Sequence, residues 1–197
     1  MKQAISRHTQ TDTKALILQE ATALLLTRSY VGLSFQELAD RVGIRKASLY
    51  HHFASKEALG IALMEAAQGK FLRWAQRQEG QAAAPKIAAY IAMFRDAIGA
   101  GQRVCPIGAT GGEWDCVEPQ LQQAVRQFHQ TQLVWLTEVV QQWEGAQGAQ
   151  APELARQRAL QINAMLQGAL INARIYADIQ VFDTALAPLQ ASLAQLH

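Results

Sequence analysis

The sequence has few of the residues that would indicate a secreted, metal-binding or membrane-spanning protein. Its two cysteines, Cys105 and Cys116, are too few for a disulfide framework, and no CxxC pair or histidine cluster indicates a metal site. No stretch approaches the roughly 18 consecutive apolar residues of a membrane-spanning helix. The polar N-terminus also lacks the apolar middle of a secretory signal. We therefore expect a cytoplasmic protein without cofactor, metal or membrane contact.

Proline is also scarce, with five residues in a chain of 197, and half of the residues are hydrophobic. Runs rich in Ala, Leu and Gln favour α-helix, so the composition predicts an all-α protein with a sizeable core. The net charge is only +2, but it is unevenly distributed. The first 60 residues carry eight basic and five acidic side chains, whereas the remainder has one more acid than base. This distribution fits an N-terminal part that contacts a polyanion.

The apolar spacing divides the chain into three parts. Residues 1–11 are predicted to be a flexible arm, 12–60 to form a small three-helix domain, and 61–197 to form a larger helical domain. The first helix should run from about Asp12 to Arg28, where apolar residues recur every three or four positions. Longer helices are predicted at about residues 86–100, 119–143 and 152–179, with a short helix at the end.

Residues 34–53 have the pattern of a helix-turn-helix. Ser34 is a good N-cap, and Glu37 three residues later completes a capping box. Gly43 follows the short helix at the position where a glycine adopts a left-handed conformation. A second short helix should then span about 45–53, before Ser55 caps the next one.

The second of these helices is the element that enters the major groove of DNA in helix-turn-helix proteins. Leu49 and Phe53, four residues apart, should anchor it and leave its polar side chains outward. Arg45 and Lys46 can donate hydrogen bonds to guanine edges or phosphates. A short basic helix alone is more often a solvated surface, but here the cap, glycine turn, basic start and aromatic end occur together. The predicted DNA contacts are Ser34, Arg45, Lys46, Ala47, Ser48, Tyr50, His51 and Lys56.

The segment LADRVGIRKASLYHHFASKEAL (38–59) resembles the DNA-binding domain of the tetracycline-repressor (TetR) family, and the resemblance extends from about Thr13 to Leu63. It implies an Ω-shaped all-helical dimer with a variable C-terminal ligand-binding domain, and usually a repressor. The family's contact positions correspond to the residues just named, apart from Ala47. Four positions depart from the family pattern: Ser29 and Ala47 replace glycine, Arg45 replaces Ser or Thr, and Leu33 replaces Thr. The Arg45 change leaves open which base sequence the protein recognises, and the Thr contact of the family is lost at Leu33.

The resemblance ends near residue 65, so an effector site must be sought among the apolar side chains of the C-terminal domain. Each candidate taken singly is more often an ordinary core residue. Few charges fall on these apolar faces, which favours a neutral or weakly polar effector. The candidates are Met64, Trp74, Tyr90, Phe94, Ile98, Cys105, Trp114 and Met165.

Cys105 stands directly before Pro106, which is suited to the first position of a helix. A thiol at a helix N-terminus near Arg103 is expected to have a lowered pKa. The segment is also similar to the Gly-x-x-Cys region of family members that respond to electrophiles or oxidants. A thiol-based sensor is therefore an alternative to a reversible ligand, although a buried structural cysteine is the commoner outcome.

Dimerisation is predicted through the helices at 119–143 and 152–179, where Gly168, Ala169 and Ala173 would allow close packing. The sequence thus predicts a homodimeric regulator rather than an enzyme. A repressor of this kind would be released from a palindromic double-stranded DNA operator by a small molecule. Two other classes remain open: an enzyme using Cys105 or Cys116 with His129 as base, and an architectural DNA-binding protein without a ligand.

Overall fold

The computed structural model describes residues 2–101, 103–145 and 151–194. Within these ranges every regular element is helical, which confirms the all-α expectation. None of the helices there is long and apolar enough to cross a membrane. The elements are α1 (Lys2–Arg28), α2 (Phe35–Val42), α3 (Lys46–His52), α4 (Lys56–Gln76), α5 (Ala83–Ile98), α6 (Pro106–Gly111), a 3-10 turn (Trp114–Cys116), α7 (Pro119–Glu144), α8 (Ala151–Tyr176) and α9 (Ile179–Ala194).

The helix-turn-helix forms as its local signals predict. The Ser34 hydroxyl accepts from the backbone N–H of Gln36 at 3.2 Å and of Glu37 at 3.5 Å, so it caps α2. Gly43 ends α2 with φ +75°, a conformation that costs a residue with a Cβ more than it costs glycine. Ser55 caps α4 by accepting from the Ala58 N–H at 3.0 Å. The caps therefore determine where α2 and α4 begin.

Some helix boundaries differ from expectation. α1 begins at Lys2, so the expected start at Asp12 is wrong, and most of the segment predicted as an arm continues the helix. α5 begins at Ala83, and α9 is a full 16 residues rather than a short helix. The first ten residues of α1 are mostly polar, so they extend the helix without continuing the hydrophobic period that sequence patterns detect.

α4 joins the two parts of the molecule. It contacts α1 and packs along α7. α8 packs against both α7 and α9, which completes a larger helical body behind the head formed by α1, α2 and α3. The predicted boundary at residues 60 and 61 falls inside this continuous helix. A displacement of α4 in the body would therefore be carried directly to the head.

Candidate nucleic-acid interface and effector core

The buried side of α3 orients its polar side chains. Leu49 is fully buried and Phe53 is 4 % exposed, so both anchor the helix as the four-residue spacing predicts. The side chains on the opposite side are exposed, except for Ser48, which is half-buried. Tyr50 is 50 % exposed. The structure therefore brings these predicted contact residues to one surface: Arg45, Lys46, Ala47, Ser48, Tyr50 and His51.

Positive charge on this surface is concentrated at the N-terminal end of α3. The neighbouring Arg41 is paired with Glu37 at 3.0 Å and with Glu20 at 3.9 Å. Within the described parts of the chain, neither Arg45 nor Lys46 has an ion pair. These two cations are thus available for a phosphate or a base edge.

Two contacts position further side chains around α3. The Tyr50 ring packs on Phe35 of α2, with 5.2 Å between ring centroids, so a half-exposed aromatic is held in place. Lys14 of α1 places its ammonium 5.4 Å from the centroid of the Phe53 ring, at the far end of α3. The position of Lys14 could not be predicted from the sequence, because only the packing of α1 brings it near α3.

Lys56 has a structural role besides any contact with DNA. Its ammonium donates to the Val31 carbonyl at 2.9 Å and lies 4.7 Å from the centroid of the Tyr30 ring. Burial lowers the pKa of Lys56, while the nearby carboxylates Glu118 and Glu113 act in the opposite direction. Lys56 therefore holds the turn between α1 and α2, and its contact with phosphate stays a prediction.

The C-terminal end of α1 is tied to the body through its last carbonyls. These groups have no partner within the helix and need donors from elsewhere. The Val104 N–H donates to the Leu26 carbonyl at 3.0 Å, and the Arg174 guanidinium donates to the Thr27 carbonyl at 3.0 Å. One donor precedes α6 and the other lies on α8, so two elements of the body meet the end of α1.

Glu113, between α6 and the 3-10 turn, holds the turn between α1 and α2. Its carboxylate accepts from the Ser29 hydroxyl at 2.6 Å and from the Val31 N–H at 2.8 Å. Ser29 has φ +61°, the conformation that explains why glycine is common at its position. Here a side chain is retained, and it contacts Glu113. The residues responsible are far apart in the chain, and no sequence motif indicated Glu113.

A second pair of contacts runs beside the Glu113 bonds. The Tyr30 hydroxyl donates to Glu118 at 2.6 Å, and Glu57 accepts from the Gln120 N–H at 3.1 Å. Burial, followed by the hydrogen bond to Glu118, raises the pKa of the Tyr30 phenol and keeps it a donor. The start of α7 is thereby joined to both the α1–α2 turn and α4.

We expect Glu113→Ala to loosen the turn between α1 and α2 selectively. Removal of a carboxylate that accepts two hydrogen bonds should destabilise the protein by about 1–3 kcal/mol. The amide proton of Val31 should lose most of its protection from hydrogen exchange, because its acceptor is gone. Amide exchange followed by NMR and urea unfolding measure the two effects.

Asp115→Ala is the matched control, since Asp115 is an exposed carboxylate two residues away. It should leave Val31 exchange unchanged. Equal exchange rates at Val31 in wild type and Glu113→Ala would show that the Glu113 contact does not hold the turn.

Several candidate effector residues meet in the interior of the body. The Tyr90 ring lies 5.0 Å from Phe94 and 6.0 Å from Trp74, measured between centroids. Trp135 of α7, which was not among the predicted effector residues, lies 5.5 Å from Tyr90. Ile98 is buried one turn beyond Phe94. The structure thus forms an aromatic cluster, which we define as Phe71, Trp74, Tyr90, Phe94, Phe128 and Trp135.

Two candidates do not belong to this interior. Met165 is 40 % exposed on the outer side of α8, so its prediction as a lining residue is wrong. Trp114 begins the 3-10 turn between α6 and α7, where it is half-buried and its ring lies 4.9 Å from the Arg126 guanidinium. Helical spacing identified apolar residues correctly but did not show which side of α8 faces the core.

Cys105 has the predicted position but not the predicted acidity. It precedes Pro106, and its sulfur accepts from the Gly108 N–H at 3.1 Å as the N-cap of α6. Burial raises the pKa of the thiol, and this effect exceeds the lowering by its hydrogen bonds, including that with Gln167. The expectation of a lowered pKa near Arg103 is therefore wrong, because Cys105 is buried.

α8 presents an apolar outer side that the described parts of the protomer do not cover. The small residues expected at a dimer contact are mostly elsewhere: Ala169 and Ala173 are buried within the protomer, and Gly168 is half-buried. The exposed apolar side chains of α8 instead are Leu154, Leu160, Met165, Ile171, Ile175 and Tyr176. We call this set the α8 face.

Together, the helix-turn-helix and the helical body define a class of protein: a DNA-binding head on an all-α body. Residues 17–63 match the family model described as bacterial regulatory proteins, tetR family. A 61-residue segment is 38 % identical to the HTH-type transcriptional repressor NemR of Escherichia coli K12, and it covers 31 % of each chain. The chain thus matches under a third of the length of this curated relative.

Solved structures extend the likeness to the whole fold. A TetR-family transcriptional regulator from Agrobacterium tumefaciens superposes with a TM-score of 0.82 at 24 % identity, covering 92 % of this chain and 97 % of that one. A TetR transcriptional regulator from Legionella pneumophila gives 0.79 at 26 % identity, with 91 % and 94 % covered. The chain therefore has the fold of these TetR-family regulators, and its residues 17–63 are similar to the DNA-binding segment of that family.

Proposed function

We propose that this chain is a homodimeric transcriptional repressor that binds a palindromic DNA operator through α3 and releases it when a small molecule binds the body. The observation that carries the proposal is the surface of α3, where Arg45 and Lys46 are exposed without an ion pair among the described residues. A helix of this kind fits the major groove, and its N-terminal residues contact base edges.

The repressor role is supported by NemR, which is named a transcriptional repressor and is similar over the head. Binding of a repressor to a site at a promoter excludes transcription by occupancy, so it needs affinity and sequence preference but no catalysis. The α3 surface offers exposed cations for affinity and exposed polar side chains that could read base edges.

The α8 face supports a dimer. Contiguous exposed apolar surface on a monomer marks an interaction site. Ile171 is 53 % exposed and Ile175 is 69 % exposed, and residues four apart lie on one side of a helix. A two-fold axis through this face would pair α8 with its copy and place two α3 helices on one duplex.

The contacts between head and body support ligand control. Val104 and Glu113, on either side of α6, both bond to the α1–α2 region. A ligand that binds one arrangement of α6 more tightly than another shifts the population of head positions. The spacing of the two heads, and with it the fit to the operator, would then change.

The test is selection of duplexes from a random-sequence pool by the purified protein, followed by fluorescence anisotropy. We expect a palindromic duplex bound by two protomers, at least about 1,000-fold tighter than its scrambled version at physiological salt. Transcription in vitro from a promoter containing this duplex should fall when protein is added. Equal affinity for the scrambled duplex would contradict a sequence-specific repressor and favour an architectural DNA-binding protein.

A further inference from the structure

A polar cluster lies inside the apolar body, beside the aromatic cluster. The Tyr90 hydroxyl donates to the Asn163 amide oxygen at 2.9 Å, and both residues are at least 95 % buried. One turn further along α8, the amide nitrogen of Gln167 lies 3.0 Å from the sulfur of Cys105. Side chains from α5, α8 and the start of α6 therefore meet in one place.

The Asn163 side chain retains an unused donor. Its amide nitrogen, Nδ2, is buried and has no hydrogen-bond partner among the residues that the structure describes. Buried polar groups are nearly always paired, and each exception requires a physical reason. Because the oxygen of the same amide bonds to Tyr90, the unpaired N–H group lies at the polar cluster itself.

The Tyr90 side chain joins this donor to the aromatic cluster. Tyr90 belongs to both groups, since its ring packs among Trp74, Phe94 and Trp135 while its hydroxyl reaches Asn163. Burial raises the pKa of Tyr90, so the phenol stays neutral at physiological pH. Trp74 and Trp135 are only half-buried, which brings this part of the aromatic cluster to the surface. Aromatic walls with a few convergent polar groups are typical of small-molecule sites.

We propose that Asn163 and Tyr90 are the polar anchor of a site for a neutral aromatic molecule that carries a carbonyl group. The carbonyl oxygen accepts from Asn163 Nδ2, and the ring of the ligand packs against Trp74 and Trp135. Burial of the anchor excludes an anionic ligand, because the named side chains supply no counter-charge. The inference rests on the proposed function and adds to it the chemical class of the effector.

The anchor is also positioned to influence the head. Asn163 and Gln167 are one turn apart on α8, and Gln167 contacts the residue that caps α6. Gly108 lacks the Cβ that would approach the Gln167 side-chain oxygen to 2.8 Å, so α6 packs closely there. A ligand at Asn163 thus acts one helical turn from α6, whose far end leads to Glu113.

Titration calorimetry of the full chain with acetophenone and ethylbenzene tests the anchor, since the two probes have similar size and only the first carries a carbonyl. We expect acetophenone to bind about tenfold tighter, the worth of one buried hydrogen bond. Benzoate, the matching anion, should bind more weakly than acetophenone. In the variant Tyr90→Phe/Asn163→Leu, both polar partners are removed together, so no orphaned group remains and acetophenone should lose its advantage over ethylbenzene.

Gln167→Leu is the matched control, a polar-to-apolar change one turn along α8 that should retain the preference for acetophenone. Equal affinities of the wild type for both probes, or no binding of acetophenone, would overturn the anchor even if the double variant fails to fold. Persistence of the preference in the folded double variant would also overturn it. Operator affinity is measured separately. A protein that prefers acetophenone but binds no operator would support the anchor and contradict the proposed function. A protein that binds an operator but shows no preference for acetophenone would contradict only the anchor.

Discussion

Replacement of Arg45 by alanine will lower affinity for the selected operator by about 10- to 100-fold, the range expected for one side chain with two hydrogen bonds to a base pair. Arg45 precedes α3 as its N-cap, is exposed, and its side chain makes no capping hydrogen bond. Its loss should therefore leave the free energy of unfolding unchanged. Fluorescence anisotropy with the selected duplex and urea unfolding measure the two quantities.

Lys46→Ala separates base reading from phosphate contact. If Lys46 contacts a phosphate, its removal should weaken binding to all duplexes about equally and lower the slope of log affinity against log salt by about one. Arg77→Ala, an exposed cation at the end of α4, is the matched control and should change neither affinity nor slope. If neither the Arg45→Ala variant nor the Lys46→Ala variant changes operator affinity, the assignment of α3 as the DNA-reading helix would be contradicted.

The double variant Ile171→Glu/Ile175→Glu should convert the proposed dimer to a monomer. The two-fold axis would place four carboxylates in one apolar interface, and each unpaired buried charge costs several kcal/mol. We expect the dimer dissociation constant to rise more than about 100-fold, as sedimentation equilibrium would show. Operator affinity should fall with it, because a monomer loses the gain of about 100-fold or more from binding two half-sites at once.

Leu72→Glu is the matched control for this variant. Leu72 is a half-exposed leucine on α4, outside the α8 face, and its replacement should leave both the dimer and operator binding intact. A double variant that still sediments as a dimer would show that another surface joins the protomers. The α8 face would then need a different occupant.

The helix-turn-helix could be predicted from the sequence because its signals are local. Ser34, Gly43 and Ser55 each act on backbone groups within a few residues, and the structure confirms all three. Leu49 and Phe53 face inward because residues four apart share one side of a helix. Because Leu49 and Phe53 face inward, the polar side chains of α3 must face outward, and this could be predicted from the sequence alone.

The residues of the aromatic cluster were predictable in type but not in arrangement. Helical spacing identified Tyr90, Phe94 and Ile98 as buried, and the structure confirms this. It misplaced Met165, because both sides of α8 carry apolar residues and only packing against α7 and α9 decides which side is covered. The thiol of Cys105 was misjudged for the same reason, since the sequence shows a helix start but not the burial around it.

The sequence by itself determined the elements whose causes lie within one or two helical turns: the caps, the left-handed glycine, and the inward and outward sides of α3. Tertiary structure alone decided the contacts between head and body, as with Ser29 and Glu113, which are 84 residues apart. The ends of helices are determined locally, because nearby side chains form hydrogen bonds with the backbone groups that have no partner within the helix. A distant partner exists only after the chain has packed, so no spacing in the sequence records it.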